Sequence, residues 1–157
     1  MVTQYINNSQ GPTPKKEKRL RILLYEPEEG SREYLCEALK KEHDVVSVRP
    51  MTGDFKHREY FRSFDILILN PEEKKITDLL DSICSHYHEE KPWIIVTSEK
   101  EENRLELKKL KSDRLFFIPK PYDLDVIEKT IDKIIQWEAE KKQTSKKLLK
   151  RLTHLFR

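Results

Sequence analysis

Short apolar runs alternate with stretches of helical spacing along most of the chain. Residues 21–25, 44–48, 64–69, 92–96 and 114–118 are compact apolar segments, each bounded by polar or turn-forming residues, and each predicts a strand. The strongest, Phe64-Asp65-Ile66-Leu67-Ile68-Leu69, stops at Asn70-Pro71. Between and after these runs, residues 29–42, 54–63, 74–88, 100–111 and 123–140 carry apolar side chains at intervals that suit helices. The first of these places Tyr34, Leu35, Ala38 and Leu39 on its stripe, with Glu29 or Ser31 near its start. The fourth carries Leu105, Leu107 and Leu110. The last carries Leu124, Ile127, Ile131, Ile134, Ile135 and Trp137.

Strands that are apolar throughout, separated by helices, predict a parallel sheet covered on both faces. At this size the expected class is α/β: a flavodoxin-like, doubly wound (βα)5 sheet of order 2-1-3-4-5. Such sheets place their chemistry just beyond the carboxyl ends of the strands. The informative residues are therefore Glu26, Pro27 and Glu28 after the first strand, Asn70 after the third, Thr97 and Ser98 after the fourth, and Lys120 and Pro121 after the fifth.

Charge divides the 157 residues into three regions. Residues 1–19 carry +3 and residues 138–157 carry +5, which leaves −5 for residues 20–137 out of a total of +3. Residues 1–19 are polar and without periodicity, and read as a disordered leader. The domain is expected over 20–137 and a basic amphipathic helix over 138–157. Only Gly11, Gly30 and Gly53 occur, too few and too dispersed for a dinucleotide-binding or Walker A loop. Cys36 and Cys84 are too far apart to suggest a disulfide framework, and no apolar run is long enough to span a bilayer, so a cytoplasmic location is expected.

The Ile94-Ile95-Val96-Thr97 and Phe116-Phe117-Ile118-Pro119-Lys120-Pro121 segments, at their strand spacing, resemble the receiver domain of bacterial response regulators, the chemotaxis-receiver type, over residues 20 to 137. The resemblance implies a hydroxyl position at Thr97, a lysine position at Lys120, a cis bond before Pro121 and an aromatic switch position at Phe117. It also implies an acidic pair after strand 1 and a phospho-accepting aspartate after strand 3. Here the chain departs. Asn70 stands at the acceptor position, and a neutral amide is a poor substitute for a nucleophilic carboxylate. Glu26-Pro27 stands at the acidic pair, so one Mg²⁺-binding carboxylate is missing. Glu28 and Glu29 sit on the turn entering the next helix. A salt bridge between Lys120 and Glu26 is expected, because both strands end at one rim. The resemblance thus implies a degenerate, non-phosphorylatable receiver that is not an enzyme, uses no cofactor or metal, and has no small-molecule substrate. Its partners are expected to be proteins in a signalling pathway, met through residues 100–137 with Phe117 and Tyr122 near the centre.

Beyond this body, Leu148, Leu149, Leu152, Leu155 and Phe156 form one apolar stripe ringed by lysine and arginine. Three occupants suit it: the body or a second copy of the chain, the groove of a partner protein, or an anionic membrane or nucleic acid. The last gives the alternative reading, a scaffold whose basic helix attaches to membrane or nucleic acid. No DNA-reading helix-turn-helix is expected to follow the body. Cys84, His86 and His88 lack the four-ligand count of a structural zinc site.

Overall fold

The computed structural model describes residues 19–48, 61–71, 92–109 and 113–156. The expected leader over 1–18, the helix over 74–88 with Cys84, His86 and His88, and all of the 54–63 helix except its last residues lie outside them. Strands β1 (Arg21–Tyr25), β2 (Asp44–Val48), β3 (Ile66–Leu69), β4 (Trp93–Ser98) and β5 (Leu115–Pro119) form one sheet of order β2-β1-β3-β4-β5. Every pairing is parallel. Helices α1 (Glu29–Leu39), α2 (Glu101–Lys109) and α3 (Leu124–Leu155) complete the described elements.

The alternation of a strand's side chains between faces explains why the central strands are apolar throughout. Ile22 and Leu24 of β1, Ile66 and Ile68 of β3, and Trp93 and Ile95 of β4 point to one face. There they meet Leu35, Cys36 and Leu39 of α1, and Ile127, Ile131 and Ile134 of α3. Leu23, Tyr25, Leu67, Leu69, Ile94 and Val96 point to the other, with Phe61, Phe64 and Leu107. Edge strand β2 has no fully buried residue, as expected where only one neighbour pairs.

Three helix stripes differ from the expectation. On α1, Tyr34 is 60% exposed while Cys36 is buried, because the buried stripe centres on Leu35, Cys36 and Leu39. On α2, Leu107 is buried and Leu105 is exposed. Residues two apart lie about 200° around a helix and cannot share a face; Leu110 lies outside the described residues. On α3, Trp137 is partly exposed rather than in the core.

The basic helix expected over 138–157 is a continuation of α3, which runs unbroken for 32 residues. Its hold on the body ends near a cluster at the amino ends of β4 and β5. Trp93, Phe116 and Trp137 stack pairwise at 5.6–5.8 Å between ring centroids. The Trp93 indole N–H donates to Glu138 at 2.7 Å, and Arg114 and Lys141 lie over the Trp93 ring. At the other boundary Arg19, counted with the leader by composition, is tied to the body. It pairs with Asp44 at 3.1 Å and donates to the carbonyls of Lys40 and His43.

Candidate functional site

The carboxyl ends of β1, β3, β4 and β5 converge on a cluster of buried polar side chains: Glu26, Asn70, Thr97, Ser98 and, partly, Lys120. Backbone ladders set their positions. The Asn70 N–H donates to the Tyr25 carbonyl and the Lys120 N–H to the Ser98 carbonyl, both at 2.9 Å, so the rim continues the sheet's pairing.

Glu26 is the centre of the cluster. Its Oε2 accepts from Lys120 Nζ at 2.7 Å, with the glutamate side chain 1% and the lysine 12% exposed. Its Oε1 accepts from Asn70 Nδ2 at 3.0 Å and from the Glu28 backbone N–H at 3.1 Å. Three donors therefore converge on one buried carboxylate, which offsets the cost of removing its charge from water. The Lys120–Pro121 peptide bond is cis. Pro27 is half-buried and brings no side-chain oxygen.

The neighbouring acids do not join Glu26. Glu28 instead caps α1, accepting from the Gly30 N–H at 3.0 Å and the Ser31 N–H at 2.6 Å. These bonds, first those from Ser31, hold its carboxyl below the usual range. Glu29 is exposed in the first turn. Among the described residues, no three histidine, cysteine, aspartate or glutamate side chains gather in a way that suits a metal ion.

The expected roles at the end of β4 are redistributed. Thr97 and Ser98 are the last two residues of the strand rather than the residues after it. Ser98 Oγ accepts from the Lys100 N–H at 3.1 Å and from Asn103 Nδ2 at 2.8 Å, so the turn into α2 is held by Ser98. Asn103 also donates to the Pro71 carbonyl at 3.2 Å, tying α2 to the end of β3. Thr97 lies beside the Tyr122 phenol. Burial, and next the Glu26 charge, push the Tyr122 phenol up to about 12 against the opposing effect of the Thr97 hydroxyl. Tyr122 thus lies over the cluster as well as near the surface, where the sequence pattern placed it. Phe117 packs, partly buried, against the Leu23–Tyr25–Leu67 face of the core. Asp123 occupies the N-cap position of α3 without a side-chain capping bond, Asp125 pairs with Lys129 one turn on, and Asp65 accepts from the Arg21 N–H.

Arg32 escaped the sequence pattern. Its guanidinium donates to the Glu26 carbonyl at 3.0 Å and braces the turn carrying Glu26 and Pro27. An arginine in the first turn of a charged helix gives no signal of this. Tyr122 was more legible: the residue that follows a Lys-Pro turn at the rim has to pass close to the cluster.

Comparison with solved structures bears on the fold. The receiver domain of a CheY-like response regulator from Methylobacillus flagellatus is 21% identical, with a TM-score of 0.56 over 74% of this chain and 99% of that one. CheY4 of Vibrio cholerae, a chemotaxis response regulator, is 14% identical, with a TM-score of 0.59 over 74% and 99%. The chain has the receiver fold. The N-terminal domain of an uncharacterized protein from Wolinella succinogenes is 24% identical, with a TM-score of 0.61 over 79% of this chain and 99% of that domain. No protein-family model and no curated protein matches the sequence. The part of this chain that these structures leave uncovered is 21–26% of its length, more than the 18 residues before Arg19 account for.

Proposed function

We propose that this chain is a receiver-like signalling protein that is not phosphorylated and acts by binding protein partners. The observation that carries the reading is the ion pair between Glu26 and Lys120, 2.7 Å long and buried, with the Asn70 amide donating to the same carboxylate. A receiver's chemistry needs an anionic oxygen nucleophile after β3 and several hard anionic ligands for Mg²⁺. The residue after β3 is an amide. The one carboxylate in the cluster already accepts from three N–H groups. These residues do not fit Mg²⁺. The lysine is likewise engaged without any phosphoryl group, so the pocket holds a single arrangement. A face set in this way recruits a partner through shape and charge, with no catalysis and no switch by phosphate.

Incubation with acetyl phosphate and Mg²⁺, followed by intact mass, tests the reading. The expected spectrum contains unmodified chain alone. A phosphoryl adduct on the folded protein overturns the proposal.

A further inference from the structure

Past the aromatic cluster, α3 runs on with every residue from 139 to 156 exposed. Leu148, Leu149 and Leu152 are 49–62% exposed, Leu155 77% and Phe156 88%. The direction of this stripe is set by spacing. Ile127, Ile131, Ile134, Glu138, Lys141, Ser145, Leu148, Leu152 and Leu155 follow one another at alternating intervals of four and three. Such a line drifts only about 20° per heptad around a straight helix. Between Ile134 and Leu155 the drift is about 60°. The apolar stripe therefore points to the side of α3 on which the body packs.

The result is a notch. One wall is the stripe; the other is the base of the body, where Trp93, Asp113 and Trp137 line an open groove of about 760 Å³ completed by Glu140, Lys141 and Thr144. A flat bilayer approaching the stripe meets the body first, because both lie on one side of the helix. Two tails pairing with each other meet a different obstacle. They offer about two apolar heptads, where a coiled coil needs three to four. They also bring +5 against +5. The body carries −5 and contributes Asp113 to the groove, where the charges of Glu140 and Lys141 offset each other.

We propose that a second copy of this chain fills the notch: its Leu148–Leu152–Leu155 stripe lies in the first copy's Trp93–Trp137 groove, and a two-fold axis returns the first tail to the second groove. A closed dimer uses the same patch on both copies, and here each copy supplies one stripe and one groove. Trp137, partly exposed, is the anchor of the groove. The basic flanks of each tail meet the acidic body of the other copy.

Light scattering of the full chain tests this against concentration, salt and lipid. The expected species is twice 18.9 kDa. Its affinity weakens by about tenfold between roughly 0.05 and 0.5 M salt, as opposite charges require. The double variant Leu148→Asp/Leu152→Asp is monomeric with unchanged circular dichroism. Trp137→Gln, on the groove side, weakens the dimer as well. Three results overturn the proposal: a parent chain still monomeric at about 100 µM, a dimer that survives the double variant, or a dimer that tightens with salt and ignores Trp137→Gln, which is tail paired with tail. Flotation of a monomer with phosphatidylserine–phosphatidylcholine vesicles also overturns it.

Discussion

The two ends of the sheet present opposite solutions to the same problem of unsatisfied groups. At the carboxyl end, charges are buried and consumed: Glu26 takes three donors and Lys120 has its acid. At the amino end, charges ring an aromatic cluster at the edge of solvent, and an apolar stripe continues into water. The pairing of its buried charges makes the first end self-contained. Unburied hydrophobic area makes the second end one that another surface can complete.

The largest effects should come from removing one member of each end. Lys120→Met leaves the Glu26 carboxylate buried and unpaired, and should cost about 3–5 kcal/mol in denaturant unfolding. Adding Glu26→Gln to it should restore more than half of that loss, because the orphan charge disappears. Trp93→Ala at the base should cost a similar 3–5 kcal/mol, but through lost packing, so that no second polar substitution rescues it. If the rim double variant is no better than Lys120→Met alone, the ends do not differ in the way described.

A smaller effect is expected from Asn70→Asp. It replaces the N–H donor facing Glu26 Oε1 with a second carboxylate, at a cost of about 1–3 kcal/mol near neutral pH. The new acid should have a raised pKa in the folded state. Its penalty is therefore absent below the unfolded carboxylate value of about 3.9 and grows as pH rises. Urea midpoints at pH 4 and pH 7 measure the difference, and a pH-independent loss argues against a shared site.

The smallest effect is at Tyr122. Tyr122→Phe removes a half-buried hydroxyl beside Thr97 and should cost at most about 1 kcal/mol below pH 10. The phenol is raised from 10.0 to about 12, so the parent keeps its contribution below pH 10 and loses it as pH climbs through 12. Alkaline titration by phenolate absorbance should show a late-ionising phenol that the Tyr122→Phe variant lacks.

The sheet was legible because its pattern is redundant. Each central strand is apolar on both faces, so a boundary error of two residues, as at β3, leaves the topology unchanged. The Glu26–Lys120 contact followed from topology as well, since strands of known order end at known neighbours. Helix faces were less legible. Tyr34 and Leu105 are apolar yet exposed, and a sequence does not say which of two apolar arcs meets the sheet. The bracing by Arg32 and the turn held by Ser98 depend on side-chain reach, which residue type alone does not encode. The continuity of α3 from 138 to 155 was hidden by a change of composition that has no counterpart in the backbone.

That continuity has a mechanical side. A rod of 32 residues is about 48 Å long, and it starts two residues after Tyr122. Only the part beyond Trp137 stands clear of the body, and from Glu138 to Leu155 it is about 27 Å long, so a pivot of about 5° at Trp137 sweeps the tip through about 2 Å. A small adjustment of the aromatic cluster is thus magnified at a distance, and a load applied to Phe156 is felt as torque at the base of the sheet.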